Sequence, residues 1–190
     1  PGERLVEAIK VEAINSSRNV ANLTLGIDLG TTNSVVAYKK GEKVEVIPNK
    51  SGKFLTPSIV NVGNKGKFTV GEAARNQSET DPQNTFVLIK RLLGINPQSA
   101  PEELKSLLNE IQFEVNESET SYKVTTPNSS RDFECQEISA QVLAELYEAA
   151  KKYDRSIGTG CVVTVPAYFN NRQRIATKEA AEIAGLNLLQ

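Results

Sequence analysis

Leu25-Gly-Ile-Asp-Leu-Gly-Thr-Thr-Asn-Ser34 decides how this chain is read. Leu23, Leu25, Ile27 and Leu29 alternate with Thr24, Gly26 and Asp28, the two-residue period of a half-buried strand. Val35-Val-Ala-Tyr38 supplies a return strand, which predicts a tight turn between the two. Gly30 to Ser34 would present consecutive backbone N–H groups and three hydroxyls, a concavity suited to phosphate oxygens. Asp28, beside it, is placed to organise Mg²⁺, a hard cation that takes oxygen ligands and keeps several waters. Neither common phosphate motif fits. No Lys follows the turn glycine as in G-x-x-x-x-G-K-[ST], and there is no G-x-G-x-x-G. From these residues alone, a tight hairpin whose polar groups satisfy its own backbone stays equally open.

Composition narrows the chemistry. The 190 residues suffice for one large domain or two small subdomains, at roughly 100–200 residues per domain. Lys and Arg total 22 and Asp and Glu 23, so the net charge is -1 and no basic field argues for nucleic acid. There is no His, which excludes Ser-His-Asp and Cys-His catalysis and a His-based zinc site. Cys135 and Cys161 are too few for a metal site or a disulfide framework and suit a reducing compartment. Each is expected to be a buried small hydrophobe. No apolar run approaches a membrane span, and the first residues lack the apolar core of a secretory signal. Neither a nucleic-acid partner nor a membrane is expected.

Residues 1–22 stand apart: Leu5, Ala8 and Ile9 among Glu3, Glu7 and Glu12 suggest a short, weak amphipathic helix, then a linker over Asn15 to Asn19. A flexible extension is expected there in preference to a docking helix. From 23 to about 71 the pattern is strands: the hairpin, Val44–Ile47, Ser58–Val62 and Phe68–Val70. Pro82 and Asn84 predict a helix that Gly94 closes, with Phe86, Ile89 and Leu93 at helical spacing. Pro101 opens another, with Leu104, Leu107, Leu108 and Ile111 on one side. Phe113–Val115, Tyr122–Thr125 and Asp132–Glu134 read as short antiparallel strands, and Ile138, Val142, Leu146 and Ala149 as a long helix. Cys161–Val165 is a buried strand ended by Pro166, and Asn170 caps a last helix that Gly185 ends. The fold class predicted is α/β. It has an outer subdomain of ribonuclease-H type and a smaller α+β insertion at about 49–131.

Several segments, taken in order, carry a resemblance. They are Gly26–Ser34, Leu55-Thr-Pro-Ser-Ile-Val60, Val70-Gly-Glu-Ala-Ala74, Asn84-Thr-Phe86, Ile89-Lys-Arg-Leu-Leu-Gly94, Val163-Thr-Val-Pro-Ala-Tyr-Phe-Asn170, Gln173-Arg174 and Ala184-Gly-Leu186. The chain resembles the ATPase domain of the 70-kilodalton heat-shock chaperones from about Leu23 to Gln190. Sugar kinases and actins share the Asp-x-Gly-Thr turn and the actin-like fold, but not the Val-Pro-Ala-Tyr-Phe-Asn segment. Asn33 is similar to the bacterial and organellar branch, which implies a bacterial cytoplasm or an organellar matrix or stroma. The likeness covers only the first of two lobes, the ATP cleft lying between them. The chain opens on Pro1, has no Met and stops at Gln190 within a strand pattern, so both ends are expected to be cut. The second phosphate loop, the adenosine pocket and the peptide-binding domain would lie beyond.

The resemblance implies ATP or ADP with Mg²⁺ as ligands, and it assigns roles. Asp28 would organise the ion through water, and Gly30, Thr31, Thr32 and Asn33 would hold the β- and γ-phosphates. Lys90 would position the attacking water and offset γ-phosphoryl charge, so that Asp28, Thr31 and Lys90 form the catalytic set. Pro166 and Arg174 match positions that couple nucleotide state to the peptide-binding domain. Arg91 would hold subdomain contacts. A J-domain co-chaperone, a nucleotide exchange factor and unfolded peptides are the implied partners. One departure stands out: Asn171 occupies a position where most relatives have Asp, which removes a charge near the coupling segment. Two other readings stay open at this level: half of an actin-fold sugar kinase, and a non-enzymatic stub binding co-chaperones. Cut edges at Val162–Val165 and Leu186–Leu189 would also favour self-association.

Overall fold

The computed structural model describes residues 23–190. The extension predicted over 1–22 lies outside them. The first three strands form a meander: β1 (Leu23–Asp28), β2 (Asn33–Lys40) and β3 (Lys43–Val46). β1 and β2 pair antiparallel with Leu25 opposite Tyr38 and Asp28 opposite Val35. The alternation seen in the sequence holds, because Leu25 and Ile27 are fully buried. Each such side chain contributes about 1.5–3 kcal/mol by leaving water. β4 (Thr56–Pro57) adds a short pairing to the start of β2, with Asn33 opposite Pro57 and Ser34 opposite Thr56.

Two three-stranded antiparallel sheets follow. The first contains β5 (Val60–Val62), β6 (Phe68–Val70) and β7 (Thr85–Phe86), in the order β6-β5-β7, with one helical turn, α1 (Glu72–Arg75), after β6. After α2 (Glu102–Leu108) comes the second, β10-β9-β8, made of β8 (Glu114–Glu117), β9 (Tyr122–Thr125) and β10 (Phe133–Glu134). Phe86, Phe113 and Phe133 meet edge-on, with Phe86 5.1 Å from Phe113 and 6.3 Å from Phe133. A buried polar network supports that core. Asn61 and Asn84 both donate to the Asp81 carboxylate (3.0 and 2.6 Å), and the Asn84 carbonyl accepts from the Thr126 hydroxyl and Asn128 N–H.

The long helix α3 (Cys135–Tyr153) starts in a capping box formed by Glu134 and Glu137 and buries Ile138, Val142, Leu143 and Leu146. β11 (Ile157–Thr164) then returns to the first sheet and pairs parallel with β1, placing Asp28 beside Thr164. Helix α4 (Asn171–Ile183) packs against α3, and β12 (Asn187–Leu188) pairs parallel with β11. The main sheet therefore runs β12-β11-β1-β2-β3, with β4 beside β2. A meander joined to parallel strands covered by helices is the predicted ribonuclease-H-type α/β arrangement. Both cysteines are buried, as expected. Burial pushes the Cys135 thiol up to about 12, so it behaves as a small apolar group. No helix among the described residues is long and apolar enough to cross a membrane.

The structure corrects four local expectations. No continuous helix runs from Pro82 to Gly94. The segment is a 3-10 turn (Pro82–Asn84), then β7, then a second 3-10 turn (Ile89–Arg91). Thr85 and Phe86 spend their backbone groups on β5, and Leu88 adopts a left-handed conformation at φ 58° that no helix interior accepts. The spacing of Phe86, Ile89 and Leu93 mimicked a helical face because all three fill one core. The helix after Pro101 ends at Leu108, and Ile111 packs on the core from the following loop. The strand expected over Ser58–Val62 begins only at Val60, since Ser58 is drawn towards the β1–β2 turn. Val162 and Val163 are buried, so the apolar edge expected at Val162–Val165 is already covered; Leu189 remains half-exposed.

Candidate functional site

The β1–β2 turn spans residues 29–32 at one end of the main sheet. Leu29 is buried, Thr31 half-buried and Thr32 exposed. Gly30 is required by space. A Cβ there would lie 1.9 Å from the Asn33 carbonyl oxygen. Its N–H donates to the buried Ser34 hydroxyl (3.1 Å), so Gly30 shapes the turn while its donor is already used. The backbone N–H groups of Thr31 and Thr32 make no hydrogen bond among the described residues. Two adjacent donors are thus left unused among the described residues, beside two threonine hydroxyls, the makings of a nest of the kind that holds anions.

Asp28 ends β1 just below this turn. Its Oδ1 accepts from the Thr164 hydroxyl (3.0 Å) on the neighbouring parallel strand. The half-buried Lys90 comes in from the 3-10 turn Ile89–Arg91. Its ammonium donates to the Leu29 carbonyl (2.5 Å) and lies 5.4 Å from the centre of the Phe169 ring. Lys90, Arg91, Thr31, Tyr168, Phe169 and Gln173 line one open pocket of about 330 Å³. The lysine predicted from the sequence and Thr31 of the turn therefore line the same pocket, although 58 positions of chain lie between them. Arg91 itself is exposed at the pocket rim.

Gly94 explains how the Lys90 turn is fixed. Its φ is +68°, and a Cβ there would lie 2.7 Å from Gln173 Cα and 2.8 Å from the Arg172 carbonyl oxygen. The backbone after Lys90 therefore rests directly on the first turn of α4, an approach only glycine permits. That first turn is itself well made. Asn170 accepts from Gln173 N–H (3.0 Å) and Gln173 returns the bond to Asn170 N–H (3.1 Å), a capping box of the predicted cap.

Pro166 and Arg174 also come together. Pro166 follows β11, and its carbonyl accepts from Phe169 N–H (3.0 Å) across a tight turn. Arg174, one turn into α4, donates from Nε to the Phe169 carbonyl (3.2 Å) and from Nη2 to the Ala167 carbonyl (3.5 Å). Both residues thus bear on one turn, Pro166 within it and Arg174 bonded to it from α4, and the turn's Phe169 ring lies 5.4 Å from the Lys90 ammonium. Tyr168 is the most exposed large aromatic, at 82%. Asn171 is exposed at the start of α4.

Thr164, Phe169 and Ser58 were not singled out from the sequence for any role here, and Ser34, whose hydroxyl was expected among those facing phosphate, is fully buried with that hydroxyl spent on Gly30 N–H and Ser58. Thr164 could have been found from the parallel alignment of two buried strands. The serines could not, since their contact joins positions 24 apart with no local pattern. No cluster of three or more acidic, Cys or His side chains suited to holding a metal occurs among the described residues.

The profile of the Hsp70 protein family matches residues 24–190. The chaperone protein dnaK of Gracilaria tenuistipitata var. liui is 45% identical over 166 residues, covering 87% of this chain and 26% of that protein. DnaK of Emiliania huxleyi is 44% identical over 166 residues with the same two coverages, 87% and 26%. DnaK1 of a Nostoc species is 44% identical over 167 residues, covering 87% of this chain and 24% of the relative. The chain thus spans about a quarter of the length of the curated relatives it matches. With that match and an actin-like α/β lobe behind it, the chain belongs to the Hsp70 family.

Proposed function

We propose that this chain forms one wall of an ATP-binding and hydrolysis cleft in a DnaK-type chaperone. The observation that carries the reading is that Thr31, whose N–H and that of the adjacent Thr32 make no hydrogen bond among the described residues, shares one open pocket with the Lys90 side chain. Thr31 and Thr32, aided by Asn33, bind the β- and γ-phosphates through N–H and hydroxyl donors, and Gly30 gives the turn its shape. The donor set also fits Mg²⁺. One carboxylate without a surrounding acidic cluster suits an ion that keeps its waters and leans on substrate phosphate oxygens. Bound there, the ion would neutralise charge across the phosphates, and Asp28, oriented by Thr164, would help hold it.

Lys90 is the catalytic cation. Phosphoryl transfer calls on the protein mainly for positioning and charge stabilisation, and a fixed cation at the transferring group serves both. Its ammonium rests on the Leu29 carbonyl, so it is held within reach of the turn at no further cost in ordering. Pro166 and Arg174 form the route by which nucleotide state reaches a peptide-binding domain. Phe169 links their turn to Lys90. Residues 23–190 act as the first lobe, with about 49–131 as its insertion subdomain. A J-domain protein, a nucleotide exchange factor and unfolded peptides are the partners of the longer protein. A bacterial cytoplasm or an organellar matrix or stroma is its compartment.

Calorimetric titration with Mg²⁺-ATP tests this. The isolated chain is expected to bind weakly and to hydrolyse little, because a cleft with one wall loses its preorganisation. The full-length protein containing it is expected to bind saturably and to lose most of that affinity in Asp28→Ala. Unchanged affinity and turnover in full-length Asp28→Ala would overturn the assignment.

A further inference from the structure

Ser34 and Ser58 are given no contact with phosphate, yet they are buried polar groups bonded to the turn itself. Ser34 is 0% exposed and Ser58 9%. The Ser34 hydroxyl accepts from Gly30 N–H (3.1 Å) and shares a hydrogen bond with the Ser58 hydroxyl (2.8 Å). Ser58 N–H donates to the Thr32 carbonyl (2.8 Å). Ser58 therefore holds the turn at two points, through Ser34 to Gly30 and directly at Thr32. Those points bracket Thr31, whose N–H and that of Thr32 make no hydrogen bond among the described residues.

Ser58 is also mounted on the same frame as the catalytic lysine. Two residues further on, Val60 pairs with Phe86 across β5 and β7, and the turn carrying Lys90 follows β7 directly. Gly30, Ser58, Ile89 and Lys90 line one small space. A shift of Ser58 would thus change the shape of the turn and its spacing from Lys90 together.

We propose that Ser34 and Ser58 form a clip that sets the phosphate-binding turn in its working shape, making both of them positioning residues for the nucleotide phosphates. The inference rests on the reading of that turn as the phosphate site. Its physics is that a satisfied hydroxyl pair in a dry interior is rigid, whereas removing one partner strands the other. The stranded Ser34 hydroxyl would then seek new partners at the expense of its bond to Gly30. Because both groups are neutral, the clip acts through shape and leaves the field at the phosphates alone. It should matter to ligands that carry phosphate and not to adenosine.

The test uses the full-length protein containing this lobe, with Mg²⁺-ATP and adenosine affinities measured side by side. Ser58→Ala is expected to weaken Mg²⁺-ATP about tenfold, about 1.4 kcal/mol, and to leave adenosine affinity unchanged. Ser58→Thr keeps the hydroxyl and should recover most of the loss, and Ser58→Cys should fall between. Val124→Ala, in the separate sheet β8–β10, should lower the melting temperature without changing either affinity. Equal weakening of ATP and adenosine, or an unchanged ATP affinity in folded Ser58→Ala, overturns the clip. Should Ser58→Ala fail to fold, Ser58→Cys carries the same two outcomes. Gly30→Ala separates the layers. If it abolishes ATP binding while the Ser58 variants do not weaken it, only the clip falls. If it too leaves ATP affinity unchanged, the turn is not the phosphate site and both readings fall.

Discussion

Two turns end two adjacent strands of the same sheet, and they are built in opposite ways. The β1–β2 turn after Asp28 is held from beneath by buried, neutral hydroxyls, Ser34 and Ser58. The turn after Thr164, from Pro166 to Phe169, is held from outside by the exposed guanidinium of Arg174 on two carbonyls. Asp28 and Thr164, directly beside one another, join the two strands at the point where the turns part. A buried neutral clip has no water competing for its bonds and is insensitive to salt. An exposed charged strut exchanges with water and is screened. The first design suits a surface that must meet a ligand in one fixed shape. The second suits a segment that adjusts when its surroundings change.

The largest expected effect falls where the turns meet, at Lys90. In the full-length protein, Lys90→Ala should lower single-turnover hydrolysis by about 10²–10³, the usual loss for one preorganised charge-stabilising group, while Mg²⁺-ATP affinity changes little. A comparable loss of affinity and rate would mean that Lys90 binds ground state and transition state alike. Next comes Gly30→Ala, which forces backbone against backbone at the Asn33 carbonyl. It should weaken Mg²⁺-ATP on the order of 100-fold, about 3 kcal/mol, by calorimetry. Full affinity in that variant would show that the first turn is not the phosphate site, and the contrast between the two turns would lose its functional meaning.

Arg174→Ala should cost only about 0.5–1.5 kcal/mol in denaturant melts, since its carbonyl partners turn to water instead. Hydrogen exchange at Phe169 N–H should quicken, while Mg²⁺-ATP affinity holds. Strong destabilisation would erase the contrast between the two turns. Smallest is the effect of acid on the start of α3, away from both turns. Arg131 donates to Glu137 (2.7 and 3.0 Å) and holds its carboxyl below the usual range. The folded state therefore binds that proton less readily than the unfolded chain. The pair's contribution is present above the ordinary carboxylate range and lost as pH falls below it. As a partly exposed pair it is worth about 1 kcal/mol or less. Glu137→Gln should remove that part of the acid dependence.

The bend of the first turn was legible in the sequence because the residues that make it are local. Alternation set β1, and Gly30 with its polar neighbours set the bend. Asn170 announced the cap of α4 in the same way, and Gln173 completes it in the structure. The segment around Lys90 was misread because Phe86 belongs to a strand whose partner, Val60, lies far back in the chain. Non-local pairing overrode a spacing that looked helical. Lys90 itself entered through resemblance, for a lysine beside apolar residues says nothing of a carbonyl 61 positions away. Ser58 carried no local signal whatever, because its contribution exists only once two distant strands have met.

That same separation bears on how the lobe is made on a ribosome. Asp28 and Thr164 stand side by side in the finished sheet but are 136 residues apart along the chain. The β1–β3 meander emerges first, with the edge of β1 that will receive β11 bare. At about 5–20 residues per second, the missing strand arrives on the order of ten seconds later. An uncovered, apolar strand edge invites the wrong partner throughout that interval. Helix α3 is made just before β11, so the nascent meander gains its lid and its neighbour almost together. A lobe of this topology thus passes through its own period of exposure each time it is synthesised.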